Sequence, residues 1–121
     1  MPQRLFICSS TRDTSIAEFL HSELEKRGAD VFIASRNLKP GVNLRAQIEA
    51  QLVSRETILV MVSTATIESA WVRQVINFAS DHHKRLIALL LDDTHDPDIP
   101  HSAERLRFSQ SIACVEHVCQ M

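Results

Sequence analysis

Apolar residues run without a break from Leu5 to Cys8 and stop at Ser9-Ser10-Thr11-Arg12-Asp13, a polar cluster that cannot continue a buried strand. From Thr14 the spacing becomes helical, with Ile16, Phe19, Leu20 and Leu24 on one face, Glu18, Glu23 and Glu25 elsewhere, and Gly28 as a stop. Residues 30–34 give a second strand. Leu44, Ile48 and Leu52 then repeat every four residues along a second helix. Residues 57–63 are apolar through five consecutive positions, the pattern of a strand covered on both faces and set near the middle of a sheet. A third helix opens at Glu68 or Ser69 and carries Trp71, Val75, Phe78 and Ala79; residues 85–91 return as strand four. Residues 95–100 are polar and proline-containing. A weak helical stretch follows, and residues 111–115 read as an edge strand. Strands alternating with helices predict a flavodoxin-like three-layer α/β fold, a mostly parallel five-stranded sheet with helices on both faces. Ligands in such a fold bind beyond the carboxyl ends of the strands.

The chain has 121 residues, 45% of them hydrophobic, which suits one domain over 1–121 with no internal repeat and no flexible linker. A formal net charge of −2, with acids and bases intermixed, gives no electrostatic reason to expect nucleic acid or an anionic membrane as a direct partner. No apolar run approaches the roughly 20 residues that span a bilayer, and no cleavable signal pattern precedes the first strand, so a cytoplasmic protein is expected. The three cysteines, Cys8, Cys114 and Cys119, are an odd set with Cys8 inside an apolar run; a disulfide scaffold does not follow.

Several chemistries can be weighed on the residues themselves. In Arg36-Asn37-Leu38-Lys39-Pro40-Gly41, proline fixes φ and glycine accepts φ > 0, so the pair turns the chain and lifts the residues before it off the surface. Arg36 and Lys39 become exposed donors, on either a contact loop or a plain strand-to-helix connection. A phosphate loop pairing Cys8 with an arginine fails, because that position is Thr14. The hydroxyls of Ser9, Ser10, Thr11 and Thr14 precede a helix and could hold a phosphate, but without glycines beside them a simple helix cap is the better reading. A phosphoacceptor receiver would need an acid ending the third strand, where Val62-Ser63 stand. Cys114, His117 and Cys119 lack a fourth metal ligand, so no metal site is expected. His82 and His83 fall at a helix carboxyl end, where positive charge is mildly favoured.

Three motifs, in order, resemble those of the Toll/interleukin-1 receptor (TIR) family, particularly its bacterial members, over nearly the whole chain. Leu5-Phe6-Ile7-Cys8-Ser9-Ser10 with Asp13 is similar to the first box, an apolar strand ending in serine and an acidic residue. Arg36-Asn37-Leu38-Lys39-Pro40-Gly41 resembles the second box, with Asn37 where the family has an acid. Ser69-Ala70-Trp71-Val72 resembles the serine and tryptophan opening the third helix, and Phe108 stands for the aromatic third box. The resemblance implies a signalling or assembly module that pairs with other TIR domains or with itself, working either alone or as one subunit of a larger complex. Its contact loop would be Arg36, Asn37, Lys39, Pro40 and Gly41. It also implies a nucleotide cleft at Ser9, Ser10, Arg36, Trp71 and Val75.

Many TIR domains cleave NAD with a glutamate four residues after the tryptophan, and here that position is Val75. A carboxylate stabilises the developing oxocarbenium ion or holds the ribose hydroxyls; valine does neither. Gln74 is rotated about 100° away and is neutral, while Glu68, seven residues earlier, lies about 10 Å along a continuous helix. Glu68 reads as an acid of the first helical turn, favoured there by the dipole. It is the fallback for a relocated carboxylate. The expectation is therefore no required cofactor and no NAD hydrolysis. The alternatives are an NAD glycohydrolase or cyclase using Glu68, and a pseudoenzyme that senses NAD.

Overall fold

The computed structural model describes residues 4–33 and 44–108, with side chains from residue 46 onward in the second stretch. The first apolar run forms β1 (Arg4–Cys8), and the polar cluster after it winds one 3-10 turn (Thr11–Asp13) into α1 (Thr14–Lys26). Then come β2 (Asp30–Ile33), α2 (Leu44–Ser54), β3 (Thr57–Val62), the short α3 (Thr64–Ile67), α4 (Ala70–Asp81), β4 (Arg85–Leu90) and β5 (Glu104–Arg107). All five strands run parallel in the order β2-β1-β3-β4-β5, the flavodoxin-like order expected from the alternation.

The period of two along each strand divides the core into two layers. Leu5 and Ile7 of β1, Leu59 and Met61 of β3 and Ile87 and Leu89 of β4 join Ala17, Leu20 and Leu24 of α1. Phe6 and Cys8, Ile58, Val60 and Val62, and Leu86 and Ala88 join Leu52 of α2 and Val72, Val75, Ile76 and Ala79 of α4 on the opposite face. Each fully buried aliphatic side chain contributes about 1.5–3 kcal/mol, so β3, buried on both faces, is the spine of the domain.

Two helices end in the same way. After α1, the Gly28 N–H reaches Glu25 O and the Ala29 N–H reaches Leu24 O, with Gly28 at φ 89°. This is a Schellman stop, and a Cβ on Gly28 would touch nothing within 4 Å, so its φ rather than crowding favours glycine. After α4, the His83 N–H reaches Ser80 O and the Lys84 N–H reaches Ala79 O, but the left-handed residue is His83, at φ 54°.

Three sequence expectations change. The stripe of α1 facing the core is Ala17, Leu20, His21 and Leu24; Ile16 and Phe19 are only partly covered. The weak helical stretch contains the fifth strand instead. Glu104, Arg105 and Arg107 stay exposed, as a sheet edge permits, while Leu106 packs inward. The predicted edge strand at 111–115 lies outside the described residues. Finally, the third helix is two helices: Ser63 caps α3, and Glu68 ends it before Ser69 caps α4.

Candidate functional site

A parallel sheet ordered 2-1-3 reverses direction between β1 and β3, so the loops leaving those two strands part and form a crevice at their carboxyl ends. Ser9 and Ser10 leave β1, and Ser63 leaves β3. Asp13 joins the two sides: its Oδ2 accepts from Ser63 Oγ at 2.7 Å and from Ser10 Oγ at 3.2 Å. Ser63 is itself fixed by a capping box. Its Oγ accepts the Ala65 N–H at 3.2 Å, and its own N–H donates to Thr66 Oγ1 at 3.1 Å. Neither Ser10 nor Asp13 uses its side chain to cap the helix that it precedes.

Beside this crevice, at the ends of β3 and β4, the Thr64 N–H donates to Asp92 Oδ2 at 3.1 Å and the Thr94 N–H to Oδ1 at 2.8 Å. The bonds from Thr94, side chain then main chain, and from the Thr64 N–H lower the Asp92 pKa to about 2. Farther out, Arg73 of α4 binds the buried Asp96 through both terminal guanidinium nitrogens and Asp98 at 2.7 Å, clamping the β4–β5 connection to the helix. Burial alone would raise the Asp96 pKa; the Arg73 hydrogen bond and charge, with the Asp98 N–H, reverse that and hold it below the ordinary value. The hydrogen bond from Arg73 to Asp96 outweighs desolvation and raises the arginine's pKa further. A cavity of about 210 Å³ opens here among Val62, Leu90, Asp92, Thr94, Asp96 and Arg105. The larger groove, about 480 Å³, lies at the opposite end of the sheet between Ala79, Lys84, Arg85 and Glu104. Arg85 and Glu104 pair across it at 2.7 Å. The crevice gathers Ser10, Asp13 and Ser63 at the strand ends where ligands bind in such sheets; the groove, lined by Ser80, His83, Lys84, Arg85, Ser102 and Glu104, lies at the other end.

Trp71 sits in the first turn of α4, half-buried, its ring tilted 47° against Phe6 with centroids 6.3 Å apart. Phe6 in turn stacks on Phe32 at 5.1 Å. Val75 lies one turn further on, 1% exposed in the same apolar cluster, so its side chain presents no surface to a ligand. Gln74 is exposed beside it. Glu68 does not occupy the first turn of α4, as the sequence suggested; it is exposed at the carboxyl end of α3, before the chain bends. A continuous helix carrying Glu68 and Val75 on one side does not exist. Arg36, Asn37, Lys39, Pro40 and Gly41 lie outside the described residues, as do Cys114, His117 and Cys119.

Cys8 is fully buried, and desolvation, only partly offset by the Arg73 charge, pushes its pKa up. A thiol so placed is no nucleophile at neutral pH. Among the described residues no group of three His, Cys, Asp or Glu side chains is placed to hold a metal, and no helix is long and apolar enough to cross a membrane. His82 ends α4 with Nδ1 3.0 Å from Phe78 O and its ring stacked on Phe78 at 4.0 Å, a helix-end contact. Sequence reasoning put Ser10 in the cleft, gave Asp13 only as part of the first motif and did not connect Ser63 with either. The available signal was the strand order: β1 and β3 become neighbours in any 2-1-3 sheet, which brings their trailing residues together.

The fold is shared with solved TIR structures. The TIR domain of the Toll-related receptor TRR-2 from Hydra magnipapillata matches with a TM-score of 0.71 and 16% identity, covering 96% of this chain and 90% of that one. A metazoan TIR-STING receptor from C. gigas, solved in complex with 2',3'-cGAMP, matches with a TM-score of 0.78 and 19% identity over 97% of this chain and 38% of that one. The TIR domains of the activated Roq1 resistosome, which recognises the pathogen effector XopQ, match with a TM-score of 0.62 and 15% identity over 76% of this chain and 59% of that one. No curated protein sequence matches the chain. The family model for the TIR domain, however, matches residues 5–118, nearly the entire chain, and the protein therefore belongs to the TIR domain family.

Proposed function

We propose that this chain is a TIR-type signalling and assembly module of the bacterial kind, acting in the cytoplasm through homotypic or heterotypic TIR contacts without hydrolysing NAD. One observation carries the reading. Four residues after Trp71, where hydrolytic relatives place a glutamate, Val75 is 1% exposed and packed with Val72, Ile76 and Ala79. A buried branched hydrocarbon supplies neither charge to an oxocarbenium ion nor hydrogen bonds to ribose. The contact loop would be Arg36, Asn37, Lys39, Pro40 and Gly41. The test pairs two measurements. Concentrated protein with NAD should release no nicotinamide by chromatography, and sedimentation velocity should show self-association, or pairing with a second TIR domain, that Lys39→Glu weakens. Nicotinamide release that disappears in Glu68→Ala would overturn the proposal in favour of an enzyme with a relocated carboxylate.

A second reading is favoured by the crevice, where Ser10, Asp13 and Ser63 converge on a ligand position typical of this sheet topology. In this reading the chain is a pseudoenzyme that binds NAD, or a cyclic nucleotide derived from it, and does not turn it over. A saturable rise in Tm with NAD, without product, is its signature.

A further inference from the structure

The register of the last strand leaves a gap at the amino end of the sheet. β5 begins with Glu104 opposite Ile87, so Arg85 and Leu86, the first residues of β4, have β3 on one side and no strand on the other. The Arg85 N–H donates to Glu56 O beside β3; at the far end the Leu91 N–H turns to Val62 O, while Leu90 O accepts from Phe108. Odd residues of β4 therefore face β3 and even ones face β5. Leu86 thus points its N–H to the β5 side, where a continued ladder would supply the Ser102 carbonyl. Ser102 lies in the turn before β5, and no main-chain bond joins the two. A backbone donor is left to take its acceptor from solvent or from a ligand, on the wall of the groove of about 480 Å³ between the end of α4 and that turn.

The charges around the groove do not cancel. Arg85 and Glu104 pair at 2.7 Å. Lys84, half-buried, donates to Val53 O at 2.9 Å and pairs with no carboxylate among the described residues. The Ala79 and Ser80 carbonyls at the helix end already accept the Lys84 and His83 N–H groups. Ser80 and Ser102 add exposed hydroxyls, and Ala79, Pro100 and Ala103 supply an apolar lining. With His83 neutral, the lining side chains carry one net positive charge. We infer that this groove is a binding site for a small monocarboxylate with an apolar body, whose carboxylate accepts the Leu86 N–H in the field of Lys84. One net charge matches a carboxylate, whereas a phosphate dianion would bring excess charge toward Glu104. A cavity of this size suits a small molecule whose body rests on apolar side chains while a few polar groups fix its orientation. The site lies at the end of the sheet remote from the crevice and is independent of the assembly and sensing readings above.

The experiment is an amide-resolved NMR titration of the native chain, Lys84→Gln and Ser102→Trp with hexanoate, hexylammonium and hexyl phosphate, read at the Leu86 amide. Hexanoate should shift that amide saturably, with a Kd of about 1 mM or tighter, and hexylammonium, which has the same body and the opposite charge, should not. Lys84→Gln should weaken hexanoate about threefold through loss of one nearby charge. Ser102→Trp places a ring in the groove from an exposed turn and should abolish the shift while the rest of the spectrum stays native. Hexyl phosphate should bind no more tightly than hexanoate. A Leu86 amide that hexanoate leaves unmoved, an equal response to hexylammonium, or a response that survives Ser102→Trp would overturn the site. Unchanged affinity in Lys84→Gln would overturn the part given to Lys84, and tighter binding of hexyl phosphate the choice of a monocarboxylate. The comparison of hexanoate with hexylammonium needs only native protein, so it decides the matter even where a variant fails to fold.

Discussion

Replacing Val75 by glutamate puts a carboxyl four residues after Trp71, and the structure predicts that it damages the fold instead of creating activity. The side chain is 1% exposed within the cluster of Phe6, Val60, Val62, Val72, Ile76 and Ala79. A carboxyl there meets hydrocarbon and remains protonated in the folded state, its pKa raised by desolvation. The folded chain then keeps a proton that the unfolded chain releases, so stability falls as pH rises through the ordinary glutamate pKa of about 4.3. Each unit costs about 1.4 kcal/mol; by pH 7 the ionisation penalty alone is about 3.7 kcal/mol. The unpaired carboxyl adds about 1–3 kcal/mol even when neutral. A domain of this size has about 5–15 kcal/mol in total, so Val75→Glu should be marginal or unfolded at pH 7. Urea denaturation at pH 5 and pH 7 measures this directly. The gap between native protein and variant should widen by about 2.7 kcal/mol over those two units. A gap that stays constant, or one below about 1 kcal/mol at pH 7, would refute the buried placement and mean that the helix face opens to solvent.

His83 holds φ 54° at the stop after α4, a conformation that costs a non-glycine residue about 1 kcal/mol or more, so His83→Gly should raise Tm by several degrees in a thermal melt. Asp96→Ala should cost roughly 2–4 kcal/mol by chemical denaturation. This is less than a fully buried pair would lose, since Arg73 is 21% exposed and keeps Asp98. Because Asp96 has its pKa lowered in the folded state, its contribution is present above the unfolded value of about 3.9 and is lost as pH falls through the folded one. Native protein should therefore show a steeper acid loss of stability below about pH 4 than Asp96→Ala. Cys8, buried with a raised pKa, should resist iodoacetamide at pH 8 in the native state and react in urea, read by peptide mass spectrometry; rapid native labelling would contradict its placement.

What the sequence revealed, and what it concealed, divides along physical lines. Runs such as Ile58 to Val62 are legible because burial on both faces leaves no room for polar residues. β5 was not legible, because an edge strand needs only one inward side chain: Leu106 is flanked by arginines that mimic a polar helix or loop. The break between α3 and α4 was signalled by two successive caps, Ser63 and Ser69, but the apolar spacing of Trp71 and Val75 reads equally well with a helix begun earlier. In the crevice, Asp13 and Ser63 stand 50 residues apart, and the ion pair of Arg73 and Asp96 spans 23. Such pairings depend on strand order and loop path, for which local patterns carry no signal.

At the amino ends of the strands, Arg55 binds Leu5 O at 3.2 Å, Asp30 O at 2.8 Å and Gln51 Oε1 at 3.0 Å, with its guanidinium 5.9 Å from the Phe32 ring centre. Lys84 likewise ties to Val53 O at 2.9 Å, while Arg85 and Glu104 pair across the edge. Side-chain ties between strands are thus made also at the end remote from the crevice. A substitution on the rim leaves these distant ties in place, so the amino ends of the strands hold their register whatever the rim carries.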